Sequence, residues 1–173
     1  MKPILFLFSG LPGTGKTTIS KEISKHYQAT YIRIDTVEQG LRDLCSYNVQ
    51  GEGYRLSYRL ALDNLLIGNN VVVDCCNPIE LTRQEWNDIG RKGQANYLNI
   101  EIVCTDKTEH QKRVKERTND IEGLKLPSWN EIENRYYEEW KGSILRIDTT
   151  MKNKNESVNE LIKEIDKSIK NFA

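Results

Sequence analysis

The sequence predicts a three-layer α/β domain around a parallel sheet of five strands, and three observations support this. Short apolar runs of strand length alternate with longer segments of helical periodicity along the chain. The first run, at 4–8, contains no polar residue, as expected of a strand that is covered on both faces. The length of 173 residues suits one domain, 1–173, with a sizeable core and leaves no need for a second domain.

The individual elements follow from these patterns. Strands are predicted at 4–8, 30–35, 71–74, 98–105 and 144–147. Helices are predicted at 17–27, 36–45, 54–66, 80–92 and 106–118, with another that begins at Ser128 and a last one that includes 158–169. In the helix at 54–66 we expect the leucines to form the buried face, namely Leu56, Leu60, Leu62, Leu65 and Leu66.

The loop between the first strand and the first helix carries the strongest functional signal. Gly10, Gly15, Lys16 and Thr17 have the spacing G-x-x-x-x-G-K-[ST], which is typical of a phosphate-binding P-loop. In such a loop the backbone N–H groups and the helix N-terminus converge on an oxyanion, and glycine allows the positive φ angles that this requires. An ordinary glycine-rich turn is the alternative. Because the motif lies between a predicted strand and a predicted helix, the sequence predicts a P-loop NTPase fold.

The P-loop motif predicts which residues bind a nucleotide. We expect ATP to bind at Gly10, Gly13, Thr14, Gly15, Lys16, Thr17 and Thr18. Lys16 would reach the β- and γ-phosphates, and the Thr17 hydroxyl would coordinate Mg²⁺. In the empty loop we expect Lys16 to be exposed, so that its replacement would cost little stability.

Two carboxylates follow predicted strands on the same edge of the sheet. Asp74 closes the run Val71-Val72-Val73, the pattern of a Walker B acid in the Mg²⁺ shell, although a capping or turn acid is the alternative. Asp35 ends the second strand. Because ligands of open α/β sheets bind beyond the carboxyl ends of the strands, we expect Asp35 and the P-loop to share one rim.

The helix at 106–118 is basic. Arg113 and Arg117 are four residues apart, and we expect both on one helical face. They are predicted to belong to a lid at about 110–127, where they would neutralise the charge of a transferring phosphoryl group. A solvated charged surface is the alternative. Tyr136, Tyr137 and Trp140, further along, favour packing over a base-stacking platform.

Composition limits the partners and the compartment. The chain has 25 basic and 25 acidic residues, so no overall positive field favours nucleic acid, although a local groove could still bind it. The four cysteines show no C-x-x-C spacing, which favours reduced, packed thiols over a zinc site. The apolar start is too short for a signal peptide, so we expect a cytoplasmic protein without a membrane partner. The oligomeric state is left open.

This chain lacks the motifs that are expected of several classes of P-loop protein. Residues 105–108 do not supply the N-K-x-D motif of a regulatory GTPase, and no L-S-G-G-Q-like signature of a transporter ATPase is present. The chain leaves no room for the helical domain of an AAA+ motor. Small-molecule kinases remain.

Five segments carry a resemblance to a known family: GLPGTGKTT, YIRIDTVEQGLR, VVVDCCNP, HQKRVKERT and GLKLPSW. Together they resemble the small P-loop kinases of the AAA_33 or zeta-toxin-like group, which is similar to polynucleotide 5′-hydroxyl kinases, chloramphenicol phosphotransferases and gluconate kinases. The resemblance covers nearly the whole chain. It implies a nucleoside-monophosphate-kinase-like sheet of order 2-3-1-4-5 and ATP with Mg²⁺ as cofactors.

The resemblance also implies a role for Asp35. In the polynucleotide and antibiotic kinases an Asp after the second strand accepts the proton of the substrate hydroxyl, and Asp35 has that position here. Glu38 stands where those relatives often have an Arg, with Arg33 before it and Arg42 one helical turn later as candidate substrate ligands. This departure counts against polynucleotide specificity.

The sequence thus predicts transfer of the ATP γ-phosphoryl group to a hydroxyl of a small molecule or nucleotide. Lys16, Asp35, Arg113 and Arg117 are the predicted catalytic residues, and Thr17 and Asp74 are the predicted metal ligands. Two alternatives stay open: a 5′-hydroxyl polynucleotide kinase, and a nucleotide-binding module without phosphotransfer. The sequence does not identify the acceptor.

Overall fold

All five strands of the sheet are parallel in the computed structural model, which describes residues 2–172. The strands are β1 (Ile4–Ser9), β2 (Thr30–Arg33), β3 (Val71–Asp74), β4 (Asn96–Val103) and β5 (Leu145–Asp148). Their order is β2-β3-β1-β4-β5. This confirms the predicted fold class and strand order. It also places the carboxyl ends of β1, β2 and β3 side by side.

Helices cover both faces of the sheet. They are α1 (Lys16–His26), α2 (Ile34–Cys45), α3 (Glu52–Leu66), α4 (Glu80–Lys92), α5 (Lys107–Glu116), α6 (Trp129–Glu133) and α7 (Lys154–Lys170). The short helix α6 begins at Ser128 with a capping box to Glu131, which satisfies N–H groups at its first turn. No helix within residues 2–172 is long and apolar enough to cross a membrane.

The side chains of β1 divide the core into two layers, because successive residues of a strand point to opposite faces. Phe6 and Phe8 pack with Ile23 of α1 in one layer. Leu5 and Leu7 pack with α3 and α4 in the other. All five residues of the predicted run at 4–8 are buried, as expected for a central strand of a covered parallel sheet.

The buried face of α3 differs from the leucine face that the sequence predicts. Gly53, Ser57, Ala61 and Leu65 are buried, whereas the exposed residues include Leu56, Leu60 and Leu66. The small residues recur every four positions and let neighbouring groups approach. A Cβ atom on Gly53 would lie 2.3 Å from Glu38 Cγ on α2. Close packing against α2 therefore selects the small face over the more apolar one.

Candidate functional site

The P-loop connects β1 to α1 through three glycines with positive φ: 136° at Gly10, 87° at Gly13 and 91° at Gly15. Two of them also lack room for a side chain. A Cβ on Gly10 would lie 2.3 Å from the Ile102 carbonyl oxygen, and one on Gly13 would lie 2.5 Å from Val114 Cγ2. The backbone thus curves around an open cradle at the N-terminus of α1, which suits a phosphate group.

Gly10→Ala should destabilise the protein, because the new methyl group meets backbone that cannot move aside and the φ angle is unfavourable. Strain of this kind costs on the order of 1–3 kcal/mol. Gly40→Ala is the matched control, since nothing lies within 4 Å of its Cβ position and it is inside α2. There Ala should gain about 0.5–1 kcal/mol. Urea denaturation of both variants measures the difference, and equal stabilities would contradict the proposed clash.

Residues outside the motif hold the loop in place. The Thr149 hydroxyl after β5 lies 2.9 Å from the Thr14 carbonyl, and His110 Nε2 donates to the Pro12 carbonyl at 2.8 Å. The Thr14 hydroxyl donates to Leu11 O at 3.0 Å, and Thr14 is buried. The Thr14 side chain therefore closes the loop, and only its backbone N–H remains for a nucleotide.

Lys16 and Asp74 form a buried ion pair, contrary to the expected exposure of Lys16. Lys16 Nζ lies 2.7 Å from Asp74 Oδ1, and their side chains are 10% and 1% exposed. The Tyr31 hydroxyl donates to Asp74 Oδ2 at 2.7 Å. Burial would raise the pKa of Asp74, but the Lys16 ammonium and hydrogen bonds from Lys16, Thr17 and Tyr31 outweigh it and lower that pKa. The pair is fully charged at neutral pH.

The residues around Asp74 fit Mg²⁺ bound together with a nucleotide. Within residues 2–172 no group of three His, Cys, Asp or Glu side chains could hold a metal by itself. Mg²⁺ usually keeps several waters and takes one or two protein ligands together with substrate phosphates. The Thr17 hydroxyl and the neighbouring Asp74 carboxylate supply such a donor set. We expect the Lys16 ammonium to move from Asp74 to the phosphates when ATP binds.

Asp35 lies in the first turn of α2 and not at the end of a strand, since β2 ends at Arg33. Asp35 nevertheless lies on the same rim as the P-loop, because α2 follows β2 directly at the carboxyl edge of the sheet. Asp35 Oδ2 and Asp74 Oδ2 each lie 3.9 Å from Arg33 Nε. The Asp35 carboxylate is 54% exposed, whereas that of Asp74 is 1% exposed. The two acids therefore share one rim in different surroundings.

The structure separates the two arginines that were predicted to share a helical face. Helix α5 ends at Glu116, and Arg117 is its C-cap in extended conformation. Arg113 donates to Thr149 Oγ1 at 2.7 Å and to Thr149 O at 2.8 Å, and it pairs with Glu109. Arg117 lines the same cavity as Asp35, Arg33 and Arg135, and the charges of these three residues act on its pKa. Arg113 thus lies at the P-loop and β5 side, and Arg117 lies at the Asp35 side.

The segment 118–127, in the non-helical part of the predicted lid, contacts α1 and the residue that precedes α2. Asp120 accepts from Arg33 Nη1 at 2.8 Å and from Lys21 Nζ at 2.9 Å. These two partners lower the pKa of Asp120 to about 2, so the contact is ionised across the physiological range. Arg42, the second candidate substrate ligand, pairs with Glu38 Oε2 at 3.2 Å.

A cavity of about 720 Å³ connects these groups. Its walls are the P-loop, the start of α2, the segment 118–127 and the loop after β5. The predicted site residues that line it are Gly10, Gly13, Gly15, Lys16, Thr17, Thr18, Arg33, Asp35, Arg42, Arg113 and Arg117. Asp74 lies behind Lys16. The space is large enough for a nucleotide and a small second substrate.

Sequence reasoning missed several residues at this site. Thr149 could have been found, since it directly follows β5 at the edge where ligands of parallel sheets bind. Tyr31 lies within a strand and gives no motif. Asp120 and Arg135 lie on irregular segments, where no spacing indicates what they contact.

The fold and the site define a kinase-like P-loop protein. The profile of the AAA_33 family, described as an AAA domain, matches residues 5–138, and the chain belongs to this family. A protein of Thermococcus gammatolerans that is provisionally named adenylate kinase is 24% identical over 176 residues, which cover 96% of this chain and 88% of that protein. An adenylate kinase of Methanococcoides burtonii is 35% identical over 82 residues, 45% of this chain and 37% of that protein.

Solved structures of low sequence identity share the fold. A gluconokinase of Sinorhizobium meliloti 1021 has a TM-score of 0.70 at 16% identity, covering 99% of this chain and 96% of that chain. The APS kinase of Mycobacterium tuberculosis in complex with AMPPNP and APS has a TM-score of 0.64 at 15% identity, covering 95% and 98%. At these identities the likeness extends to the fold alone.

Proposed function

We propose that this protein is an ATP-dependent kinase that transfers the γ-phosphoryl group to a hydroxyl of a small molecule or nucleotide. One observation carries the proposal: two carboxylates beside the P-loop have opposite surroundings. Asp74 is buried and ion-paired, as suits an acid that faces a cation. Asp35 is half exposed on the cavity wall, where an acceptor hydroxyl could reach it.

In this proposal each group has one task. The loop N–H groups and Lys16 hold the ATP phosphates, and Mg²⁺, held by Thr17 and Asp74, would neutralise phosphate charge when bound. Asp35 orients the acceptor hydroxyl and takes its proton as the oxygen attacks. Arg117 supplies positive charge on the Asp35 side of the transferring phosphoryl group. Arg33 and Arg42 lie beside the acceptor.

The proposal is tested with labelled ATP and a panel of possible acceptors. The panel contains nucleosides, nucleoside monophosphates, oligonucleotides with 5′-hydroxyl ends, sugars, sugar acids, and aminoglycoside and phenicol antibiotics. We expect label to enter one class of compound with a free hydroxyl. Label that enters only oligonucleotides would favour the polynucleotide kinase. Mg·ATP binding without transfer to any compound would favour the nucleotide-binding module.

A phosphate acceptor is a second candidate. It is suggested by the two archaeal relatives that carry the name adenylate kinase. A phosphate oxygen is already ionised at neutral pH, so transfer to it would not require a general base. AMP in the panel would then yield ADP, and an Asp35→Asn variant would keep its turnover. A hydroxyl acceptor predicts the opposite result for this variant.

Arg117→Ala and Arg113→Ala should have different effects. If Arg117 contacts the transferring phosphoryl group, its loss should lower kcat more than it weakens ATP binding. Arg113 holds Thr149, which in turn contacts the P-loop. Its loss should therefore weaken ATP binding at least as much as it lowers kcat. Calorimetry with Mg·ATP and steady-state kinetics measure both quantities. Unchanged kcat in Arg117→Ala would assign that residue to the solvated surface.

A further inference from the structure

The cations of the main cavity are not all neutralised by the protein. Most of them have a carboxylate within 4.0 Å: Lys16, Lys21, Arg33, Arg42, Arg113, Lys152 and Lys154. Within the described part of the chain, Arg117, Lys125 and Arg135 line the same cavity without such a partner. These three cations are therefore available to an anion that enters the cavity.

Arg117 and Arg135 line the same cavity, and the charge of Arg135 disfavours the charged form of Arg117. Burial and the charges of Arg33 and Arg135 lower the pKa of Arg117, and Asp35 opposes them only in part. The Nε atom of Arg117 is buried without a hydrogen-bond partner. A buried donor without a partner costs free energy, and a bound anion would remove both this cost and the repulsion.

Arg135 lies where it can contact a second substrate. Its Nη1 atom is 3.8 Å from Cys76 Sγ, and the Cys76 carbonyl accepts a hydrogen bond from the backbone N–H of Gly10. The Arg135 guanidinium is thus beside the loop after β3, at the entrance to the P-loop. The same cavity is also lined by Asp35 and Glu38.

The segment that follows Arg135 is firmly held. Arg83 of α4 is buried and donates to the carbonyls of Glu138 at 2.7 Å, Glu139 at 3.2 Å and Asn77 at 3.1 Å. Its guanidinium carbon lies 4.1 Å from the centre of the Trp140 ring. Trp140 is thus used for packing, as the sequence predicts. Arg135 is exposed, its backbone N–H donates to Ile132 O at 3.2 Å, and the backbone is fixed again three residues later, so less ordering is needed when an anion binds.

We propose that the acceptor carries a phosphate, sulfate or carboxylate group in addition to its reactive hydroxyl, and that Arg135 binds this group beside Arg117. This inference rests on the proposed kinase function, since it assigns one substituent of the acceptor. Since Arg117 serves the transferring phosphoryl group in the proposed reaction, a neutral acceptor would leave the Arg135 guanidinium without an anion. An anionic group on the acceptor forms charge-assisted hydrogen bonds with Arg135.

Binding of inorganic phosphate tests the inference without a known acceptor. The donor site is first filled with Mg·AMP-PNP, whose affinity is measured separately, and labelled phosphate is then titrated by equilibrium dialysis at constant ionic strength. We expect one saturable phosphate site, weakened at least tenfold in Arg135→Ala. Arg59→Ala is the matched control, since Arg59 is exposed on α3 outside this cavity. It should bind phosphate like the unmodified protein.

Each of the other possible results contradicts either the anion site or the proposed function. If saturable phosphate binding is missing once AMP-PNP is bound, or if Arg135→Ala leaves it unchanged, the anion site is wrong. If Arg135→Ala weakens AMP-PNP binding as much as phosphate binding, Arg135 serves the donor nucleotide and the inference fails. If AMP-PNP does not bind to the unmodified protein, the proposed function fails first, and the anion site falls with it.

Turnover separates the two proposals further. The matched pairs gluconate and glucose, and AMP and adenosine, differ by one anionic group. Transfer to a neutral compound with an unchanged KM in Arg135→Ala would keep the kinase and remove the anion site. A phosphate site without transfer to any compound of the panel would keep the anion site and leave the kinase proposal unsupported.

Discussion

Asp35→Asn should preserve Mg·ATP affinity and lower acceptor-dependent transfer by about 10²–10⁴-fold, the usual contribution of a positioned general base. The reason is chemical, because the amide has nearly the same shape but cannot take the proton of a hydroxyl. Asp35 is half exposed and its ionic partner, Arg33, also pairs with Asp120, so the substitution should leave the fold intact. ATP affinity by calorimetry and ADP release with and without acceptor measure the two effects.

Asp74→Asn is the contrasting variant for this measurement. Asp74 faces the buried Lys16 ammonium, so loss of its charge should weaken Mg·ATP binding, raise the Mg²⁺ requirement and destabilise the free protein. Equal loss of ATP affinity in both variants would mean that Asp35 also belongs to the metal shell. Full turnover in Asp35→Asn would remove it from proton transfer and favour a phosphate acceptor.

The parts of the site that the sequence could predict are those tied to regular elements. The P-loop follows from residue spacing, because three positive φ angles at Gly10, Gly13 and Gly15 need glycine at fixed intervals. Asp35 and Asp74 follow from topology, since parallel strands bring their carboxyl ends to one edge. A shift of Asp35 from strand to helix did not change this outcome.

The remaining parts of the site depend on tertiary packing, which produces no periodic pattern in the sequence. Arg117 leaves the face of Arg113 because α5 ends one residue earlier, and the position of a helix end depends on local capping. Arg135 reaches the cavity because Arg83, more than 50 residues away in sequence, binds the backbone that follows it. Neither contact could be read from spacing along the chain. The acceptor side of the cavity is built from such residues, and this is why the sequence predicted a kinase but no acceptor.

The buried Lys16–Asp74 pair also shows that a residue of a functional motif can affect the stability of the free protein. A P-loop lysine was expected in solvent because its ligand is a phosphate. In the free protein, however, the Lys16 ammonium is held by Asp74, whose other oxygen accepts from Tyr31. The loop lysine therefore contributes to stability when no nucleotide is present, and its replacement has two consequences.

Lys16→Met should abolish turnover and also destabilise the free protein by about 3–5 kcal/mol near pH 8, the cost of leaving a buried charge without its partner. The pair raises the pKa of Lys16 and lowers that of Asp74, so in the unmodified protein its contribution is present at neutral pH and is lost as the pH falls below the ordinary range of a carboxyl group. Without Lys16, burial should instead raise the pKa of Asp74. The folded variant then binds a proton more tightly than the unfolded chain, and its stability deficit should shrink as the pH falls from 8 towards 5.

Urea denaturation of four proteins at pH 8 and pH 5 measures this prediction: the unmodified chain, Lys16→Met, Asp74→Asn and the double variant. Because the double variant has neither charge, it should be more stable than Lys16→Met at pH 8 and should show no such pH dependence. Gly40→Ala, in the same series, controls for substitution away from the pair. If Lys16→Met instead unfolds at the same urea concentration as the unmodified protein at both pH values, the ion pair contributes nothing to stability. If the double variant is as unstable as the sum of the two single losses, the two side chains act independently, and the exchange of Lys16 between Asp74 and the ATP phosphates loses its energetic basis.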